Sequence, residues 1–161
     1  MIPPVIRRPI PIAVLGLAIA ALPTGWAPLA AQQSTTAPIV EEGAQVDFGI
    51  VVPSGEAGAI SITPGGAQLC SPTLTCLGGQ REGLIYVTGV KDELVTILIG
   101  DALLSNGSAT LHARFRPSDP YLILRPGRRK NAFGVTGTLA IEPHQPAGSY
   151  SGTYDIIVEY Q

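Results

Sequence analysis

The stretch that decides the fold runs from Gly148 to Gln161 and reads GSYSGTYDIIVEYQ. One face of this stretch is mostly apolar or aromatic and consists of Tyr150, Gly152, Tyr154, Ile156, Val158 and Tyr160. The alternate positions are polar except for Ile157. Because successive side chains of a strand point to opposite faces, this pattern predicts a half-buried β-strand. Such a strand either completes the core of its own chain or is paired by another chain.

The chain upstream of this stretch repeats the strand pattern at short intervals. Alternating or β-branched runs occupy residues 48–52, 60–62, 84–88, 94–99, 109–115 and 133–141. Gly- and Pro-rich turns separate the runs, and Ser105-Asn106-Gly107-Ser108 predicts a hairpin turn. No stretch after residue 31 shows a helical period with caps. The predicted fold class is all-β, an immunoglobulin-like antiparallel two-sheet β-sandwich of about seven or eight strands.

The run Leu94 to Ile99 differs from the others because apolar side chains occupy both of its faces. Strands that are covered on both sides read as continuous hydrophobic runs. We therefore expect this strand to be central and covered on both faces.

Residues 1–31 have the order of features expected of a secretory signal. Arg7 and Arg8 precede an apolar run from Ile10 to Leu22, and small residues end the segment at Ala31. The alternative is a retained membrane anchor, but the apolar run is too short for the roughly 30 Å of a bilayer core. We predict a cleaved signal peptide over 1–31, a flexible N-terminal arm over 32–44 and a β-sandwich domain over 45–161.

Removal of the signal would leave about 130 residues, enough for one domain with its own core. The mature chain keeps eight basic and twelve acidic residues, so its formal net charge is −4 instead of −2. An acidic balance argues against nucleic acid as a partner. We expect an exported protein of the periplasm, cell surface or medium, with no membrane span after cleavage.

The two cysteines, Cys70 and Cys76, enclose a short loop. An even count in an exported chain favours a disulfide. A metal site would need further ligands nearby, and a redox site would need a tighter pair at a helix start. The disulfide is the favoured interpretation.

Residues that carry chemistry are sparse. His112 lies on the polar face of an alternating run and His144 lies in a Pro-bounded turn, so both are expected at the surface. No nucleophile elbow or metal-ligand pair of histidines stands out. We expect no catalytic residues, no metal and no cofactor.

Half of the basic residues of the mature chain lie in one loop: Arg125, Arg128, Arg129 and Lys130. A solvated loop is the simplest interpretation. The functional alternative is contact with a polyanion such as a surface polysaccharide or lipid headgroups.

Several motifs together resemble an exported bacterial family known as domain of unknown function 4402. They are DFGIVVP at 47–53, GTLAI at 137–141, QPAGSYSGTY at 145–154 and VEYQ at 158–161. The resemblance spans about residues 45–161. That family is similar in turn to chaperone–usher pilus subunits, which end in an alternating strand with a tyrosine next to last and a glycine fourteenth from the end. Tyr160 and Gly148 occupy these two positions.

The resemblance implies a fimbrial-subunit-like protein that is structural or adhesive and acts by binding. The strand-pairing residues would be Gly148, Tyr150, Tyr154, Ile156, Val158 and Tyr160. The implied partners are a periplasmic chaperone and like subunits, through strand addition. The alternative is a self-contained binding module, which the arm favours because it offers mainly Ala37, Ile39 and Val40 around Pro38 as a donor strand.

Overall fold

The structure is a computed structural model that describes residues 36–161. Within this range the regular elements are β-strands apart from one 3-10 turn at Arg128–Lys130. The strands are β1 (Ile39–Ala44), β2 (Val51–Pro53), β3 (Gly58–Ile62), β4 (Gln68–Cys70), β5 (Leu74–Cys76), β6 (Gly83–Thr88), β7 (Leu94–Ile99), β8 (Ala102–Ser105), β9 (Thr110–Pro117), β10 (Tyr121–Ile123), β11 (Ala132–Ile141) and β12 (Ile156–Tyr160). The signal predicted for residues 1–31 lies outside the described residues.

The larger sheet has seven strands and is organised around β11. β11 pairs first with β6 and then with β3, and it also pairs with β9 through residues 135–139. β1 pairs with β6, β4 with β3 and β8 with β9, and every pairing is antiparallel. The alternation predicted for 133–141 is confirmed, since Phe133, Val135, Leu139 and Ile141 are buried.

The second sheet has three antiparallel strands in the order β10–β7–β12, and β2 and β5 form a separate two-stranded ribbon. Val95 and Ile97 of β7 belong to the same hydrophobic core as Val87 and Phe133 of the larger sheet. Burying each aliphatic side chain of this kind contributes roughly 1.5–3 kcal/mol. The pairings of the strands in these sheets confirm the all-β, antiparallel character predicted from the sequence.

The described residues contain twelve strands, more than the seven or eight predicted, because several are too short to show a period. β2, β4, β5 and β10 have three residues each. The flexible arm predicted for 32–44 is corrected in its second half, where Ile39–Ala44 form β1. Most side chains of β1 are exposed, so the strand is held by backbone pairing with β6 and no alternation reveals it.

The prediction that the run 94–99 is covered on both faces is wrong. β7 is central in its sheet, as expected, and Val95 and Ile97 are fully buried. On its other face, however, Leu98 is 57% exposed and Leu94 is 39% exposed. A three-stranded sheet can pack one face on the core and leave the other in solvent.

The last strand begins later than the alternation suggested. Regular pairing starts at Ile156, whereas Ser151 makes a single bridge to Ser105 at the end of β8. The reason lies in the neighbours, since β7 ends at Ile99 and β8 belongs to the larger sheet. The segment from Ser151 to Tyr160 therefore passes from the larger sheet to the smaller one.

The hairpin predicted at 105–108 is confirmed between β8 and β9. The Asn106 Oδ1 accepts hydrogen bonds from the backbone N–H groups of Ser108 and Ala109 at 2.9 and 2.8 Å. The side chain thus replaces backbone partners within the turn, as asparagine commonly does.

Candidate strand-binding groove

β12 presents an apolar inner face and a backbone edge that the described residues leave without a strand partner. Ile156, Val158 and Tyr160 pack against the core, while Ile157 and Glu159 are exposed on the outer face. This arrangement confirms the predicted alternation over 156–160. β12 pairs with β7 alone among the described strands.

The alternation of backbone hydrogen bonds between β12 and β7 determines which backbone groups of β12 lie at its free edge. Asp155 accepts from the N–H of Gly100 and Gln161 donates to the carbonyl of Leu94, so the odd-numbered residues bond to β7. Bonding direction alternates along an antiparallel strand. The N–H and C=O groups of Ile156, Val158 and Tyr160 therefore point away from β7.

Two clefts lie along this last segment, with residues 37–53 on one side and 145–160 on the other, and we refer to the two clefts together as the groove. At one end a cleft of about 670 Å³ lies between 45–53 and 145–154. At the other end a cleft of about 520 Å³ lies between Ala37, Pro38 and Val40 and the residues of β12. The two segments run in opposite directions along the groove.

The floor of the larger cleft is apolar. It is lined by core residues of the larger sheet, namely Leu111, Phe115, Leu139 and Ile141. Phe48 adds a second ring, 6.1 Å from that of Phe115. Sequence analysis assigned these residues to strands but not to a site, because only the approach of two distant segments makes them the floor of a groove.

Tyr154 connects the last segment to this floor. Its ring stacks on Phe115, with 4.4 Å between the ring centroids and 30° between the ring planes. Its Oη is buried and has no hydrogen-bond partner among the described residues. Burial of the hydroxyl, together with the negative charge of Glu42, raises the pKa of Tyr154 above its ordinary value.

Tyr150 and Tyr160 tie the two ends of the segment to its surroundings. The Tyr150 hydroxyl donates to the carbonyl of Pro146 at 2.6 Å and accepts from Gln145 Nε2 at 2.9 Å. The Tyr160 hydroxyl accepts from the backbone N–H of Val90 at 2.8 Å. The Tyr160 contact holds the last residue of β12, whereas the Tyr150 contacts hold the start of the segment against the preceding turn.

Two glycines allow the segment to approach the β8–β9 hairpin. A Cβ at Gly152 would lie 2.5 Å from the carbonyl oxygen of Leu103, so no larger residue fits without a backbone shift. A Cβ at Gly148 would lie 2.8 Å from Asn106 Nδ2. Gly148 was predicted as a strand-pairing residue, and the structure places it in the turn that lines the larger cleft.

The basic loop contacts the β1 side of the groove and is partly committed to internal contacts. Arg128 forms an ion pair with Glu41 and stands over the ring of Tyr86, 4.5 Å from its centroid. Arg125, Arg129 and Lys130 are exposed and make no ion pair within the described part of the chain.

The structure also shows the positions of the cysteines and histidines considered in the sequence analysis. Cys70 and Cys76 form a disulfide, as predicted. His112 and His144 are both exposed. Among residues 36–161 there is no cluster of three or more His, Cys, Asp or Glu side chains placed to hold a metal ion, and no helix there is long and apolar enough to cross a membrane.

Comparison with known protein families gives a match that covers most of the chain. The family model described as a domain of unknown function (DUF4402) matches residues 39–160, which include β1, β12 and both sides of the groove. No curated protein and no solved structure matches the chain significantly.

Proposed function

We propose that this chain, which belongs to the DUF4402 family, is a non-catalytic exported protein of the fimbrial-subunit type, structural or adhesive, that binds an extended segment of another polypeptide along β12. Its fold would be an immunoglobulin-like two-sheet β-sandwich. The observation that carries the proposal is the unpaired edge of β12 beside an apolar groove.

Strand addition uses two features that the groove combines. Main-chain hydrogen bonds along the edge supply affinity, and pockets for alternate side chains supply specificity. The edge offers the backbone groups of Ile156, Val158 and Tyr160, while the floor offers Leu111, Phe115 and Leu139. An incoming strand with apolar residues at alternate positions would satisfy the edge and cover the floor together.

The partners that suit this site are like subunits and a periplasmic chaperone. The N-terminal segment that this chain could donate as a strand to a neighbour is short, because β1 already pairs with β6 from Ile39 onward. Only residues 32–38 of the predicted mature chain would remain to pair with a neighbour. This favours a donor strand supplied by another protein over self-polymerisation through the arm. The compartment would be the periplasm or the cell surface.

The proposal is tested by photo-crosslinking in the producing cell. A benzophenone amino acid at Ile156 should crosslink to an extended segment of another exported chain, mapped by mass spectrometry. The same group at Leu103, an exposed residue of β8, serves as the control and should give no such product.

A proline provides the matched loss-of-function variant. Ile156→Pro removes an N–H that points away from β7 and places proline at the first residue of an edge strand, where it is tolerated. We expect the domain to stay folded while the crosslink from a probe moved to Tyr160 is lost. An unchanged crosslinked product would rule out strand addition along β12.

A second candidate is a self-contained binding module for a small ligand. The larger cleft favours it, because about 670 Å³ with an aromatic floor and polar groups from Asp47, Arg81 and Gln145 suits a small molecule. If the chain is such a module, the crosslinking experiment should yield no partner protein. Phe115→Ala should then abolish ligand binding, whereas Ile156→Pro should not.

A further inference from the structure

Two adjacent glutamates of β1 lie on opposite faces of the larger sheet. Glu41 pairs in register with Tyr86, and its carboxylate forms an ion pair with Arg128, which stands over the Tyr86 ring on the outer face. Glu42 pairs in register with Ile85, which is buried in the core. Because directly paired residues of antiparallel strands project from the same face, Glu42 projects from the inner face of the sheet.

The inner face of β1 borders the groove. Val40, two residues before Glu42, lines the smaller cleft together with Ile156 and Val158. Beyond Glu42 along the chain, residues 45–53 line the larger cleft. Glu42 therefore lies between the two clefts. Its exposed side chain places a carboxylate beside the apolar surfaces that an added strand would cover.

Tyr154 lies at the same level of the groove as Glu42. The negative charge of Glu42 raises the pKa of Tyr154, which requires the carboxylate to lie near the phenol. No hydrogen bond joins the two groups, because the buried Tyr154 hydroxyl has no partner among the described residues. Glu42 also makes no ion pair within residues 36–161. Two neighbouring polar groups of the groove are thus without a partner in the described part of the chain.

The other charged residues along the groove do not neutralise Glu42. Asp47 and Glu159 line the clefts and are acidic, and Arg81 is basic but lies beside Asp47, with which its backbone pairs. The Asp47 Oδ1 accepts from the backbone N–H of Gly49 at 2.8 Å, and the Glu159 side chain is exposed on the outer face of its sheet. A cation is therefore the complement that the groove lacks at the level of Glu42.

We propose that the strand bound along β12 carries a lysine or arginine side chain facing Glu42, with apolar side chains at the alternate positions on either side. This inference rests on the proposed function and names the chemistry of its partner. The ammonium or guanidinium group would donate hydrogen bonds to the Glu42 carboxylate and to the Tyr154 hydroxyl oxygen. The apolar side chains would cover Ile156 and Val158. Because the added strand excludes water, an apolar residue in place of the cation would leave the Glu42 charge buried and unpaired.

Glu42 would thereby select among extended strands. β1 is an edge strand of the larger sheet, and an inward-pointing charge on an edge discourages pairing with the wrong strand. A strand that is apolar at every inward position would bind the β12 edge but oppose the carboxylate, so it is disfavoured relative to one with a cation there. Removal of the charge should therefore change which strand is bound without preventing strand addition.

Fluorescence anisotropy with labelled synthetic peptides tests the inference, using the full exported protein purified from the producing cell. The peptides have about eleven residues, enough to extend past both ends of β12, with valine at inward positions and threonine between them. The central inward residue is lysine, glutamine or leucine. We expect the lysine peptide to bind about tenfold more tightly than the glutamine peptide, which has a similar size and no charge. The leucine peptide reports whether strand addition occurs without the ion pair.

Glu42→Gln should remove the preference for lysine and leave binding of the leucine peptide intact. Glu41→Gln is the matched control, because Glu41 is adjacent in sequence but lies on the outer face, and it should keep the preference. If the leucine peptide binds, equal affinities of the lysine and glutamine peptides would overturn the inference while strand addition stands. A lysine preference that survives Glu42→Gln would have the same meaning.

The segment crosslinked from Ile156 in the producing cell provides the independent check. It should contain a lysine or arginine between apolar residues at alternate positions. A crosslinked segment without a basic residue would overturn the inference and still support strand addition. Absence of the crosslink together with absence of peptide binding would overturn both the inference and the proposed function.

Discussion

The ring of Tyr154 stacks on that of Phe115 at 4.4 Å and leaves its own hydroxyl buried without a partner. One residue belongs to the final segment and the other to β9 of the larger sheet. The pair therefore joins the part of the chain that crosses between the sheets to the floor of the groove. The stacking stabilises this junction, whereas the unpaired hydroxyl costs free energy that a bound strand could recover.

Tyr154→Phe should leave the free energy of unfolding at neutral pH unchanged or slightly higher. It keeps the ring on Phe115 and removes a buried hydroxyl that makes no hydrogen bond. Urea unfolding at pH 7 measures this. Tyr121→Phe, on an exposed ring, is the matched control, and a large loss confined to Tyr154→Phe would show that the hydroxyl has a partner.

The same residue should make stability depend on alkaline pH. Burial and the charge of Glu42 raise the pKa of Tyr154 in the folded state, so the folded chain holds this proton more tightly than the unfolded chain does. The contribution is fully present below about pH 10, the unfolded pKa, and is lost as pH rises through the folded pKa. Unfolding free energies measured upward from pH 9 should fall less steeply for Tyr154→Phe than for the wild type.

The same added charge should cost very different amounts of folding stability at neighbouring positions of β12. Val158→Asp places a carboxylate against the core and should cost several kcal/mol or prevent folding. Ile157→Asp puts the same group on the exposed outer face and should cost far less, and Glu159→Ala should change stability by less than about 0.5 kcal/mol. Thermal melts of the three variants test the register, and equal damage from Val158→Asp and Ile157→Asp would contradict it.

The disulfide should act as a local staple. The loop closed by Cys70 and Cys76 is short, so the chain-entropy estimate is only about 2 kcal/mol. The loop has other ties, because Ser71 Oγ accepts from the N–H of Ala59 at 2.9 Å and Thr73 Oγ1 donates to the carbonyl of Ala57 at 2.9 Å. We expect the double Cys→Ser variant to fold, with a modestly lower midpoint in urea. Failure to fold would show that the bridge holds more than its loop.

The conformation of the basic loop should depend on one buried side-chain amide, that of Asn131. Asn131 is 1% exposed, accepts from the N–H of Arg125 at 2.8 Å and donates to its carbonyl at 2.8 Å. Asn131→Ala leaves both backbone groups without these bonds and should cost about 2–3 kcal/mol. Chemical denaturation gives the value, and hydrogen exchange at Arg125 should accelerate. Arg129→Ala, on the exposed side of the loop, should change neither quantity measurably.

The amino-acid sequence by itself determined the all-β, antiparallel character, the alternation of residues 156–160, the hairpin at Asn106 and the disulfide. Each depends on residues that are close in the chain, where strand period, turn chemistry and cysteine spacing act directly. It also indicated the family, because the motifs from Asp47 to Tyr160 are continuous stretches. The predicted signal remains a prediction that sequencing of the mature protein would test.

Only the tertiary structure decided that Ile39–Ala44 form a strand, that Leu94 and Leu98 stay exposed and that Tyr154 reaches Phe115. β1 is held by backbone pairing with residues 40 to 49 positions further along the chain, which no local pattern records. An apolar residue looks the same in sequence whether or not a second layer covers it. The groove exists because residues 37–53 and 145–160 approach each other, and that approach is set by the packing of two sheets on one core.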